Sequence, residues 1–207
     1  MVEKKPLSRR EQNKVDAYKA IHHAAYQLVV VNSTPSPVED IAAQACVSPR
    51  TFFNYYRSKE EAIVGVRQPA ISDEQREYLE GATLETLFEH AATLYFQVVH
   101  NSVIEPERFV ERCAPFRDKP EHRIFMHRHM AACEALVNDT LEEFLDSRQV
   151  TIADLKTAKA SARAITVLAG SAVRYTYSTH PDAFAETGEL RTRDAIEVFK
   201  RVMKETL

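Results

Sequence analysis

Between Ser48 and Lys59 the chain gathers side chains suited to gripping a polyanion and reading base edges. Arg50 carries the planar fork that pairs with guanine O6 and N7, and nearby apolar groups suit thymine methyls. Phe52 and Tyr56 are four residues apart, so on a helix both point inward. That leaves Ser48, Pro49, Arg50, Thr51, Phe53, Asn54 and Tyr55 for the outer face and the N-terminal end. Ser58 and Lys59 then open another helix, where free N–H groups and a cation would clamp a phosphate.

Those residues need elements to position them, and helical periodicity runs through almost the whole chain. Val15, Tyr18, Ile21, Ala25 and Leu28 recur at spacings of three and four, which predicts a first helix ending near Asn32. Residues 33–37 hold two prolines among Ser and Thr and read as a loop. Ser36, Pro37 and Glu39 read as a capping box for a short helix over 38–45. Ser48-Pro49 opens a second short helix to about Tyr56, and Ser58 a third that Pro69 would end. Two short helices separated by Ala45-Cys46-Val47-Ser48 have a helix-turn-helix layout, with Ile41, Ala42, Ala45 and Val47 buried beneath the second helix.

Residues 72–81 read as a connection. Beyond them, Leu84 to Val99 show helical spacing, and 107–116 reads as a shorter helix before the break at Arg117-Asp118-Lys119-Pro120. A long helix is expected over 121–148. Another begins at a cap near Thr151 and stops at His180-Pro181, and a last one runs from about Thr192. The expected fold is all-α with about nine helices. Residues 1–67 would form an N-terminal three-helix helix-turn-helix domain, and 68–207 a helical ligand-binding and dimerisation domain.

Composition narrows the function classes. The formal net charge is -3, yet residues 1–59 carry nine Lys/Arg against five acids, so an acidic body bears a positive end. That distribution suits polyanion binding and equally suits a solvated tail. Only 4 glycines occur, which disfavours Gly-rich phosphate loops. No apolar run approaches the ~20 residues that cross a bilayer. The N-terminus lacks a secretory core, and three scattered cysteines suit a reducing compartment. The expectation is a cytoplasmic protein with no membrane partner.

The run Val38-Glu39-Asp40-Ile41-Ala42, followed by Ala45-Cys46-Val47-Ser48, Thr51-Phe52-Phe53-Asn54-Tyr55-Tyr56 and Ser58-Lys59-Glu60, resembles the DNA-binding domain of the TetR family. The likeness covers roughly residues 12–66; further on it is architectural only. It implies a repressor that binds a near-palindromic double-stranded operator as a homodimer built from the last two helices. DNA contacts are implied at Ser48, Pro49, Arg50, Thr51, Phe53, Asn54, Tyr55 and Lys59, with Tyr55 and Lys59 on phosphate and Pro49, Arg50 and Asn54 nearer the bases. Arg9 and Arg10 would add arm contacts. Two positions depart from the pattern: Cys46 stands where Gly is common, and the loop before Val38 lacks its usual Gly, with Asn32 in that role.

The resemblance also implies a small-molecule effector among the middle helices. Phe88, Tyr95, Phe96, Phe109, Phe116 and Phe125 fall in that region and point to a largely apolar or aromatic compound. Tyr95, Phe96, His100, Phe109, Arg112, Cys113, Phe116, Phe125, His129 and Arg174 form the candidate ligand set. Core packing explains each aromatic taken singly.

The alternative is an all-α metal-binding bundle or enzyme with an incidental helix-turn-helix. His122, His127 and His129 share one expected helix, but a di-metal bundle uses Glu-x-x-His pairs and the chain has none. Zinc on His129 with His100 or His90 has no supporting motif. The histidines read as surface or pocket-lining groups, with no cofactor. Cys46, Cys113 and Cys133 read as packing residues rather than as nucleophiles or a thiol switch.

Overall fold

The computed structural model describes residues 9–152, 154–180, 183 and 188–206. Lys4, Lys5 and the expected helix stop at Pro181 lie outside the described residues. Within them the chain is all-helical, with ten α-helices, and it divides into two compact units.

The first unit comprises Met1–Gln68 and Val103–Glu105. Its helices are α1 (Arg9–Tyr26), α2 (Val38–Gln44), α3 (Pro49–Tyr55) and α4 (Lys59–Val64). Tyr18, Ile21, His22 and Ala25 are all buried at the spacing of one helix face, and α1 packs there against α2, α3 and α4. The short segment Val103–Glu105 joins this unit through an antiparallel bridge between Val66 and Val103 and a 2.8 Å bond from Ile104 N–H to the Gly65 carbonyl.

The second unit comprises Pro69–Ser102 and Pro106–Leu207. It holds α5 (Asp73–Glu80), α6 (Leu87–Asn101), α7 (Phe109–Cys113), α8 (Pro120–Ser147), α9 (Ala158–Thr179) and α10 (Gly188–Thr206). Helix α9 packs against α6, α8 and α10. Its small buried residues, among them Ala162, Ala169, Gly170 and Ala172, admit close neighbours. At Gly170 a Cβ would lie 2.8 Å from Tyr95 Cε1, so only glycine lets that ring rest against the helix.

Several boundaries differ from the sequence expectation. α1 ends in a wider π-helical turn, Gln27–Val31. Ser33, not Asn32, takes the left-handed backbone after it, at φ 51°. Ser36 does not cap α2: its hydroxyl donates to the Thr34 carbonyl, and Pro37 occupies the cap position. The complete capping box lies instead at Ser72 and Gln75, and it turns the expected connection into α5. α4 stops at Gly65, in left-handed conformation at φ 76°, before Pro69 is reached. Leu84 is exposed and precedes α6, because Thr86 and not Leu84 stands at its start. Thr157, rather than Thr151, caps α9 by accepting from Ala160 N–H.

Candidate nucleic-acid interface

Helix α3 is set by its own ends. Ser48 Oγ accepts a 3.0 Å bond from Thr51 N–H, and Pro49 sits at the first helical position, where no N–H is needed. The turn before it closes α2 with two reversed bonds, Cys46 N–H to the Ala43 carbonyl and Val47 N–H to the Ala42 carbonyl. This closure requires a left-handed residue, and Cys46 supplies it at φ 56°.

Phe52 and Tyr56 are fully buried and anchor α3 from behind. The Phe52 ring meets Tyr56 at 6.1 Å, and Tyr56 meets Tyr18 edge-on at 5.3 Å. Pro49, Arg50, Phe53 and Asn54 are exposed on the opposite side; Phe53 leaves 55% of its surface open. Thr51 is half-buried, and its hydroxyl lies 2.8 Å from Ser48 Oγ. Tyr55 is half-buried, its ring edge-on to Tyr18 at 4.8 Å. Arg9 and Arg10 are exposed in the first turn of α1.

An exposed cation just beyond α3 lies outside the sequence-based set. Arg57 is exposed two residues past the end of α3, beyond Tyr56, whose extended backbone ends the helix. Its place just past the helix hid it from helical spacing. From Ile41 to Lys59 the chain carries Arg50, Arg57 and Lys59 and no Asp or Glu, so this stretch presents only positive charge.

The expected phosphate clamp at the start of α4 is altered by local bonding. Ser58 Oγ takes the Glu61 N–H, and the Glu61 carboxylate takes the Arg57 N–H at 2.7 Å. Glu60 and Glu61 also place negative charge in that first turn. The Glu61 N–H is therefore not open to an anion, and Lys59 and Tyr55 are both half-buried.

All ten candidate ligand residues lie in the second unit. Tyr95 and Phe96 on α6, and Phe109 and Arg112 on α7, are buried. Phe96 and His100 are brought together at 5.5 Å, and Phe96 stacks on Tyr177 at 6.0 Å. Phe116 meets other partners, Lys119 at 5.3 Å and His122 at 5.9 Å. Cys113 and Phe125 are half-buried, and burial pushes the Cys113 thiol up to about 11, against the pull of Arg112 and Arg117. Arg174 is exposed on α9 and donates to Ser171 Oγ.

His129 belongs to a buried polar group that sequence spacing showed only in part. Its Nε2 lies 2.8 Å from Ser102 Oγ and 3.9 Å from Cys133 Sγ. The Ser102 proton is committed to the Val99 carbonyl at 2.6 Å, so Nε2 must carry the proton it shares with Ser102. His129 is therefore not placed as a base toward Ser102, and this pair lacks the geometry of an activated nucleophile. Burial holds His129 down to about 4 and lifts the Cys133 thiol to about 12. Burial also raises Tyr95 and Tyr177. Cys133 is one turn from His129 on α8 and could have been paired with it from spacing; Ser102, on another element, could not.

Compared with known proteins, the chain matches no protein-family model and no curated sequence.

Proposed function

We propose that this protein is a TetR-type transcriptional regulator, a repressor that leaves its operator when a small, largely apolar or aromatic compound binds. The observation that carries this reading is the two-sided α3: Phe52 and Tyr56 fully buried, with Arg50, Phe53 and Asn54 exposed in a stretch free of acids. A helix anchored in this way, and opened by a capped turn, suits insertion into a major groove. Arg50 and Asn54 would read base edges, and Tyr55, Lys59 and Arg57 would hold phosphates. Arg9 and Arg10 would add contacts from the start of α1.

A homodimer is supported by apolar residues left open on two helices that pack together. Val167, Leu168 and Tyr175 on α9, and Leu190, Val198 and Val202 on α10, are exposed. Pairing them across a twofold axis would bury both stripes, and a twofold dimer matches a near-palindromic operator whose half-sites lie about 34–36 Å apart. An effector acting on the aromatic residues of α6, α7 and α8 releases DNA only if it prefers one dimer state. A 100-fold preference corresponds to about 2.7 kcal/mol.

The test is selection of duplexes from a random pool, followed by anisotropy titration across salt concentrations. The expected outcome is an enriched near-palindrome with steeply salt-dependent affinity. A pool that stays unenriched, with no salt-sensitive duplex binding, would overturn the reading.

A further inference from the structure

Helix α1 carries two adjacent histidines that the DNA-binding reading does not use. One donor atom from each of His22, His23 and Glu105 lies within 4.8 Å of the other two, and among the described residues this is the one such group of three. All three belong to the first unit. We propose that His22, His23 and Glu105 form a site for a divalent transition metal of the zinc type.

Two imidazoles and one carboxylate suit zinc, cobalt or nickel, whereas calcium and magnesium favour all-oxygen sets. With three protein ligands and His23 exposed, a further position stays open to water.

The buried His22 ring is already held from two sides. His22 Nδ1 lies 2.7 Å from the Ala62 carbonyl, and a carbonyl only accepts, so Nδ1 carries the proton. The lone pair of the neutral ring therefore sits on Nε2. A backbone carbonyl behind the imidazole is the outer support that metal-bound histidines use. Gly65 presses against the same ring: a Cβ there would lie 2.9 Å from His22 Cε1. The ring is fixed in place before any ion arrives.

Glu105 is likewise held in place by its surroundings. Its backbone is left-handed, at φ 48°, a conformation that costs free energy in a non-glycine residue. The bridge from Val66 to Val103 and the bond from Ile104 to Gly65 hold it there, with its carboxylate 3.0 Å from His23 Nε2. Lys19 stands 3.9 Å from the other carboxylate oxygen and would compete with an ion. A plain ion-pair cluster of Lys19, His23 and Glu105 would require neither the proximity of His22 nor its fixed tautomer. A bound metal would cross-link residues 82 positions apart within one unit.

The experiment titrates chelator-treated, full-length protein with Co2+, following visible absorbance, with Zn2+ as competitor. The proposal expects one Co2+ per chain, displaced by Zn2+. His23→Ala and Glu105→Gln should each weaken binding by at least roughly 10–100-fold. Neither residue is fully buried, and circular dichroism checks that both variants keep their helices. Lys19→Met should tighten binding several-fold by removing the competing cation. Absence of Co2+ binding overturns the proposal. So does binding that survives both His23→Ala and Glu105→Gln, because the ion then sits on other histidines. The outcome does not depend on whether the protein binds DNA.

Discussion

The phenol of Tyr56 donates a 2.9 Å hydrogen bond to the main-chain carbonyl of Tyr18, tying the end of α3 to the middle of α1. One residue thus fills the core with its ring and satisfies its own hydroxyl on a carbonyl of the neighbouring helix. Tyr56→Phe keeps the ring and removes the bond, so it should cost about 1 kcal/mol in urea unfolding. Phe52→Ala empties a fully buried site and should cost about 3–5 kcal/mol. A smaller loss for Phe52→Ala than for Tyr56→Phe would contradict the anchoring role given to that ring.

Cys46, expected as a packing residue, is instead exposed, with left-handed backbone at the turn between α2 and α3. Glycine accepts that conformation without strain from a Cβ. Cys46→Gly should stabilise the protein by up to about 1 kcal/mol, and Cys46→Val should destabilise it by more. Thermal unfolding of both variants checks the order.

DNA affinity divides by residue role under the proposed function. Lys59→Ala should weaken binding to every duplex alike and reduce the salt slope by about 1. Arg50→Ala should lose about 1–3 kcal/mol on the selected site and relax the choice of one base pair. Equal affinity for all three proteins on all duplexes would remove α3 from the DNA interface.

The pH dependence of stability follows from His129, which burial lowers to about 4 from an ordinary value near 6.5. Between those values the unfolded chain binds more protons than the folded one, so stability rises with pH through this window. It is fully present above about pH 6.5 and is lost as the pH falls toward 4, by on the order of 3 kcal/mol. His129→Gln should flatten that slope in urea titrations across pH. Part of the slope should remain, because burial also lowers His122.

Leu168 and Val202 are exposed on α9 and α10. If those helices form the dimer, Leu168→Glu with Val202→Glu should give a monomer by sedimentation, with helical content unchanged. The same variant should lose most of its affinity for a two-half-site operator and keep weak binding to a half-site. A dimer that persists unchanged would move the interface elsewhere.

Periodicity alone identified the all-helical class, because buried faces such as Tyr18, Ile21 and Ala25 repeat at helical spacing. The two-sided character of α3 was also legible, since Phe52 and Tyr56 differ from their neighbours in kind as well as in position. Helix ends were less so: Ser36 and Ser72 both look like caps, and which hydroxyl bonds a free N–H depends on where the chain already turns. Cooperation between distant residues was decided only by the tertiary structure. Nothing in spacing relates His22 to Glu105, or His129 to Ser102. Those pairings exist because packing brings separate segments together, His129 to within a hydrogen bond of Ser102 and His22 to within 4.8 Å of Glu105.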